Sequence, residues 1–295
     1  MDLSPSLLYD VPGSLSAPGG VLKELQTADE ANKQSKDLAG PPEARDKIRR
    51  IREIQNTEHH RTGLQYTAKG LEWLRQYMED VRSVVGYEIP IAVDHVGHIG
   101  LTECIKLGRM LENYNIAWME DALPWHYTDQ YRILRQSVQV PICTGEDIYL
   151  KEGFLPLLEC GGVSLVHPDI LTAGGILETK KIGDMAQEYG VAMAIHMAES
   201  PIACMAAAHC AAATENFFAL EYHSYDVPWW NELVEGPEKP IVKNGYIEIR
   251  DTPGLGIEAL NDDVIREHID KDKIPGMWES TEEWNDSYSH DRIWS

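Results

Sequence analysis

The chain is short of positive charge. Its 295 residues hold 26 Lys and Arg against 48 Asp and Glu, a formal net charge of −22. That balance argues against nucleic acid and anionic membrane surfaces as partners. An anionic small molecule stays open, because a bound divalent cation reverses the local field. Cysteine is scarce as well. The five (Cys104, Cys143, Cys160, Cys204, Cys210) are odd in number and form no Cys-x-x-Cys pair, which predicts buried free thiols in a reducing cytosol. No apolar run approaches the ~18 residues of a membrane span. The N-terminus, MDLSPSLLYDVPGSL, has neither a basic region nor a signal-like apolar core. The expectation is a soluble, cytoplasmic protein. Hydrophobic content of 43% is ordinary for a globular chain, and the length suits one barrel with or without a small partner.

What the chain does have is a rhythm. Six short apolar runs each end in an acid or a histidine: IAVD at Asp94, AWME at Glu120, ICTGE at Glu146, LVHPD at Asp169, AMAIH at His196 and FALE at Glu221. The intervals are 26, 26, 23, 27 and 25 residues. Nearly continuous apolar runs suit parallel strands buried on both faces. Strands are predicted at 89–94, 116–120, 141–145, 164–168, 191–196 and 217–222. Helices are predicted at 101–114, 127–138, 150–160, 175–189 and 201–214. Repeating βα units close into a barrel whose strand carboxyl ends gather at one mouth, where such enzymes do chemistry. Six strands do not complete eight; the missing two are expected before Ile89, and MDL at the start is the single partial candidate.

The flanks read differently. Residues 1–22 are rich in Pro, Gly and Ser and predict loop. Residues 23–62 are strongly charged, with one or two exposed helices broken at Gly40-Pro41-Pro42. Leu71, Leu74, Tyr77, Met78 and Val81 keep a helical period that Thr67 is placed to cap. After Tyr222 the rhythm stops. Residues 223–240 predict a loop with aromatic anchors, 245–251 a strand, and 262–295 a charged tail. The divisions expected are 1–88, 89–222 and 223–295.

Asp94, Glu120 and Glu146 end three consecutive strands. Carboxylates so close resist ionisation unless a cation holds them, and hard oxygen ligands in an octahedral shell suit Mg²⁺. The plainer alternative is that each caps a helix or faces solvent. Asp169 and His196 end the next two strands, and an imidazole held by a carboxylate is a positioned acid or base. Glu221 faces the same mouth, to orient substrate or, with a raised pKa, to donate a hydrogen bond. His95 and His98 either supply a second acid or cap the following helix. Asp121 and Asp147 read as supporting or capping groups rather than ligands. Trp125, Trp229 and Trp230 either wall the site or pack on the surface.

The phrases AVDHVGHIG, WMEDALPW, TGEDIY, HPDI, AIHMAESPI and EYH resemble the mandelate racemase and muconate lactonizing enzyme branch of the enolase superfamily, over about residues 89–260. The resemblance implies a modified TIM-type (β/α)7β barrel with a separate α+β capping domain. It implies Mg²⁺ on Asp94, Glu120 and Glu146, an Asp169–His196 dyad, and Glu221 on a substrate oxygen. Within the branch the chain looks most like acid-sugar dehydratases, hydro-lyases that remove an α-proton from a sugar-derived carboxylate through an enediolate. In galactonate dehydratases a histidine lies two residues after the first metal acid; here that position is Val96, with histidines one and four residues after Asp94. The family's second strand ends in a Lys-x-Lys type motif, and MDL resembles its tail with Asp2 in the second slot. The resemblance therefore implies that the lysine, the first strand and the capping domain belong to sequence before Met1, and that the full-length form is a homo-oligomer. A racemase, epimerase or cycloisomerase of the same branch is the alternative reaction, and a non-catalytic remnant the alternative role.

Overall fold

The computed structural model describes residues 1–17, 22–23, 26, 63–94 and 99–269. These divide into two compact units. The first comprises Met1–Thr144 with Glu159–Ser164, and the second Gly145–Leu158 with residues from 165 onward. His95 and His98, and the charged helices expected within 23–62, lie largely or wholly outside the described residues.

In the first unit the N-terminal segment is more regular than its composition predicts. Pro5–Leu8 is a 3-10 turn, and β1 (Leu15–Ser16) pairs antiparallel with β2 (Gln65–Tyr66). Helix α1 (Ala68–Val85) follows, with Thr67 Oγ1 accepting from Gly70 N at 3.1 Å. Its apolar face buries Leu74 and Met78. Gly70 is needed there because a Cβ would stand 2.1 Å from Ser14 O.

Three parallel strands follow, separated by helices: β3 (Ile91–Val93), α2 (Leu101–Leu111), β4 (Ile116–Glu120), α3 (Thr128–Ser137) and β5 (Ile142–Thr144). Ile91 pairs with Ile116, and Met119 with Ile142. Met1–Leu3 runs parallel to β3: Asp94 N donates to Met1 O at 2.9 Å and Leu3 N to Asp94 O at 3.1 Å. The segment MDL thus lies alongside β3 as a parallel edge. Arg82, buried on α1, donates to the carbonyls of Gly86, Ile89, Tyr114 and Asn115 at 2.7–2.9 Å. One guanidinium thereby satisfies the end of α1 and the approaches to β3 and β4.

The second unit continues with α4 (Leu150–Glu159, its last residue in the first unit), β6 (Leu165–Val166), α5 (Ile176–Glu188), β7 (Ala192–Ile195), α6 (Pro201–Ala212) and β8 (Phe217–Leu220). Leu165 pairs with Ala192 and Ile195 with Leu220, again parallel. α6 is rich in Ala and Cys and buried nearly all round, as a core helix must be to lose its polar face. The chain then forms short antiparallel pairs, β9 (Val234–Glu235) with β12 (Ala259–Leu260) and β10 (Val242–Lys243) with β11 (Tyr246–Ile247). Asn244 and Gly245 both have positive φ, 54° and 79°, the turn a two-residue hairpin favours. The strand expected at 245–251 is two residues long, the length of its partner β10. Helix α7 (Asp262–His268) ends the described region.

The architecture is α/β, with six parallel strands alternating with helices in chain order, three in each unit. Five of the six strands are shorter than the apolar runs that predicted them, and β4 matches its run in full. In β6 burial extends past the last ladder hydrogen bond, whereas Phe217 and Phe218 lie within β8 yet are exposed. All five cysteines are free thiols, four of them buried. No helix among the described residues is long and apolar enough to cross a membrane.

Candidate active site

Each unit carries its own cluster at strand carboxyl ends. In the first, Asp94 follows β3, Glu120 ends β4, and Asp121 turns the chain with φ 45°. Glu120 Oε2 accepts from Trp118 Nε1 at 2.8 Å. Asp121 Oδ1 accepts from Thr144 Oγ1 at 2.6 Å. One oxygen from each of Asp94, Glu120 and Asp121 lies within 4.8 Å of the others. Glu120 and Asp121 are buried, at 4% and 2% exposure. Three carboxylates in so small a space fit a hard divalent cation. Asp121, expected in a supporting place, stands in the trio itself. Asp2 pairs with Asp94 across the neighbouring strand position, and its carboxylate accepts from Ser4 N at 2.6 Å.

In the second unit Asp169 and His196 face each other across parallel strand ends. His196 Nδ1 is 2.8 Å from Asp169 Oδ2, and Nε2 is 3.0 Å from Glu146 Oε2. Asp169 Oδ1 accepts from the backbone N–H groups of Leu171 and Thr172 at 2.7 and 3.0 Å. Burial works against a charged imidazole, but the hydrogen bonds to Asp169 and Glu146 outweigh it and hold His196 up at about 11. Each ring nitrogen thus stands within hydrogen-bond reach of a carboxylate oxygen. Burial likewise works against Asp169 as an anion; His196, Thr172 N–H and Glu199 bring its pKa below the usual value.

Glu221, which follows β8, is flanked by three histidines. His223 Nε2 lies 2.5 Å from Oε1, while His167 Nε2 and His196 Nε2 lie 3.4 and 3.5 Å from Oε2. Burial pushes this carboxyl up, but His167 first, then His196 and His223, hold it down at about 2. The histidines around it thus favour the ionised form of Glu221. Trp230 is buried and its Nε1 donates to Glu199 O at 2.8 Å, so packing is what it does here.

Sequence reasoning passed over His167, Glu199 and His223. His167 lay inside an apolar run read for its terminal Asp169, yet it is 2% exposed and its ring stands edge-on to His196 with centroids 5.6 Å apart. His223 was visible in EYH, two residues beyond Glu221, and its role follows from strand-end phase once that turn is known. Glu199 opens the turn before α6, where an acid reads as a helix-start residue. A cavity of about 680 Å³ among residues 205–258 of the second unit is lined by none of these groups.

The enolase C-terminal domain-like family model matches residues 43–264. The chain belongs to that family. It is 40% identical over 195 residues to a D-xylonate dehydratase of Haloferax volcanii, covering 66% of this chain and 46% of that protein. It is 29% identical over 201 residues to an arabinonate dehydratase of Saccharolobus solfataricus, covering 68% and 53%. Among solved structures, a mandelate racemase/muconate lactonizing enzyme-like protein from Rubrobacter xylanophilus aligns with TM-score 0.66 and 33% identity over 69% of this chain and 51% of its own. The 3,6-anhydro-D-galactonate cycloisomerase of Zobellia galactanivorans aligns with TM-score 0.62 and 32% identity over 68% and 56%. The chain spans about half the length of the curated relatives it matches. The resemblance to the mandelate racemase branch, and the TIM-type α/β barrel class it implied, both hold.

Proposed function

We propose that this chain carries the acid–base and cation-binding side chains of a Mg²⁺-dependent hydro-lyase acting on a sugar-derived acid. The observation that carries the reading is the 2.8 Å Asp169–His196 contact at adjacent parallel strand ends, in a chain 40% identical to a D-xylonate dehydratase. Asp94 and Glu120, with Asp121 beside them, have the donor chemistry a hard cation needs. Glu146 is proposed as the remaining ligand on its phase at the third successive strand end. When bound, the cation would neutralise the substrate carboxylate and the charge that develops as the α-proton leaves.

The protein's own groups divide the remaining work. Asp169 fixes the ring of His196, so one imidazole nitrogen is aimed and the other held. His196 exchanges a proton with the substrate, taking the α-proton or protonating the departing β-hydroxyl. Glu221, held ionised, accepts from a substrate hydroxyl and orients it. Asp2 lies beside Asp94 and is proposed to line the same mouth; His95 and His98 are kept as proposals for a second acid on sequence position alone. The medium for such a reaction is the cytoplasm, and the form in which it runs is proposed to be a homo-oligomer.

The test is incubation with Mg²⁺ and a panel of aldonic acids, in D₂O, reading 2-keto-3-deoxy acid and deuterium at C2. Cation-dependent keto acid is the expected product. Deuterium at C2 without loss of water would transfer the assignment to an epimerase or racemase. Absence of cation binding by calorimetry would leave a non-catalytic module.

A further inference from the structure

The dyad has a third member. Asp169, His196 and Glu199 each place one polar atom within 4.8 Å of the other two, which sets the carboxyl groups of Glu199 and Asp169 side by side. Two carboxyl groups held so close resist ionising together, and a proton retained by one relieves the repulsion. Every other acceptor direction on Asp169 is used: Oδ1 takes two backbone N–H groups and Oδ2 takes His196 Nδ1–H. A cation in this trio would compete with that N–H for Oδ2, so a proton is the group that fits.

The position of Glu199 is built, not incidental. Its own carbonyl accepts from Trp230 Nε1 at 2.8 Å, and Trp230 is buried in a cluster with Met197, Cys204 and Met205. Its Oε2 accepts from Ala198 N at 3.1 Å, so the carboxyl group is tethered to the backbone of its own turn. Burial, then the neighbouring Asp169 charge, raise its pKa above the usual glutamate value, in keeping with a held proton.

We propose that Glu199 is a positioning residue that donates its carboxyl proton to Asp169 and thereby sets the strength of the Asp169–His196 hydrogen bond. The inference rests on the dyad reading above and deepens it. The Glu199 O–H proton is not transferred; it draws electron density from the Asp169 carboxylate, weakening it as an acceptor for Nδ1–H. Removing that donor makes Asp169 the stronger acceptor, and shortens the bond to the imidazole.

The experiment is NMR of the full 295-residue chain, ¹⁵N-labelled at histidine and ¹³C-labelled at glutamate, in chelated buffer. The His196 Nδ1–H resonance is assigned by its loss in His196→Gln, and Glu199 Cδ by its loss in Glu199→Gln. Glu199→Ala is expected to move the Nδ1–H resonance downfield. Glu199→Gln, which keeps an N–H donor to Asp169, is expected to hold it near the parent position. In the parent chain at neutral pH, Glu199 Cδ is expected at the protonated shift. An unmoved resonance in Glu199→Ala, an equal movement in both variants, or an ionised Glu199 in the parent chain each overturns the proposal. The parent measurement stands even where a variant does not fold. None of these readouts needs turnover, so a failure to dehydrate sugar acids would count against the reaction class and not against this contact.

Discussion

At the scale of single residues, the site is a set of paired charges whose states follow from their neighbours. His196 is the group with the most direct consequence. On the proposed reaction, His196→Gln is expected to lower kcat by about 10²–10⁴-fold, the range that general acid–base catalysis supplies, measured as 2-keto-3-deoxy acid formed per unit time. Asp169→Asn should fall in the same direction, because the amide turns the wrong dipole toward Nδ1–H. Glu221 makes a prediction about stability. Its folded pKa of about 2 lies below its ordinary 4.5, so its contribution is fully present above pH 4.5 and is lost as pH falls through about 2. Glu221→Gln should remove at most roughly 3 kcal/mol near neutral pH and nothing below pH 2. Chemical denaturation from pH 2 to 7 checks the sign: a stability gap between parent and variant that widened toward acid would contradict it.

At the scale of elements, small residues and one buried cation set where the strand ends fall. Gly145 joins β5 to Glu146 with φ 153°, and a Cβ there would meet His167 backbone atoms at 2.9 Å and Phe154 at 2.8 Å. Gly145→Ala is expected to destabilise by about 1–3 kcal/mol, and to disturb Glu146 and His167 together because both flank that contact. Arg82 is the second device. Arg82→Met removes the donors of four backbone carbonyls and should destabilise by about 3 kcal/mol, read by urea unfolding. Arg82→Lys should rescue little, since an ammonium cannot match the geometry of the guanidinium fork.

Much of this scale was legible beforehand. Parallel strands buried on both faces leave apolar runs, and polar side chains appear where each run leaves the sheet, so Glu120, Asp169 and His196 were readable from phase alone. Most strand lengths were not, because an apolar run does not show where ladder pairing stops. The partnership of Arg82 with carbonyls near residue 115 was unreadable too: the sequence shows a basic residue at the end of a helix, which ordinarily faces solvent. His167, Glu199 and His223 escaped for a related reason. Each earns its place by which neighbour it leans on, and that is settled by packing around Trp230 and Glu221 rather than by spacing along the chain.

At the scale of the whole molecule, the acids that stand together imply a strong linkage between cation and fold. A ligand that binds only the native state stabilises it by about 2.7 kcal/mol at a hundred times its Kd. Mg²⁺ is therefore expected to raise the Tm of this chain. Asp94→Asn and Glu120→Gln should each abolish that rise while leaving a folded protein, as relief of repulsion among clustered carboxylates allows. Differential scanning calorimetry with chelator and with Mg²⁺ separates the two cases. A Tm indifferent to the cation in the parent chain would count against the proposed ligand set.

The guanidinium at position 82 changes how variants of this protein are to be interpreted. It grips the chain just ahead of Ile116, the first residue of the strand that Glu120 closes. An allele altered there keeps every acid intact but takes away the anchor at the head of that strand. On the proposed cation reading, a screen is expected to score it as a cation-affinity defect that a search confined to the acids would miss.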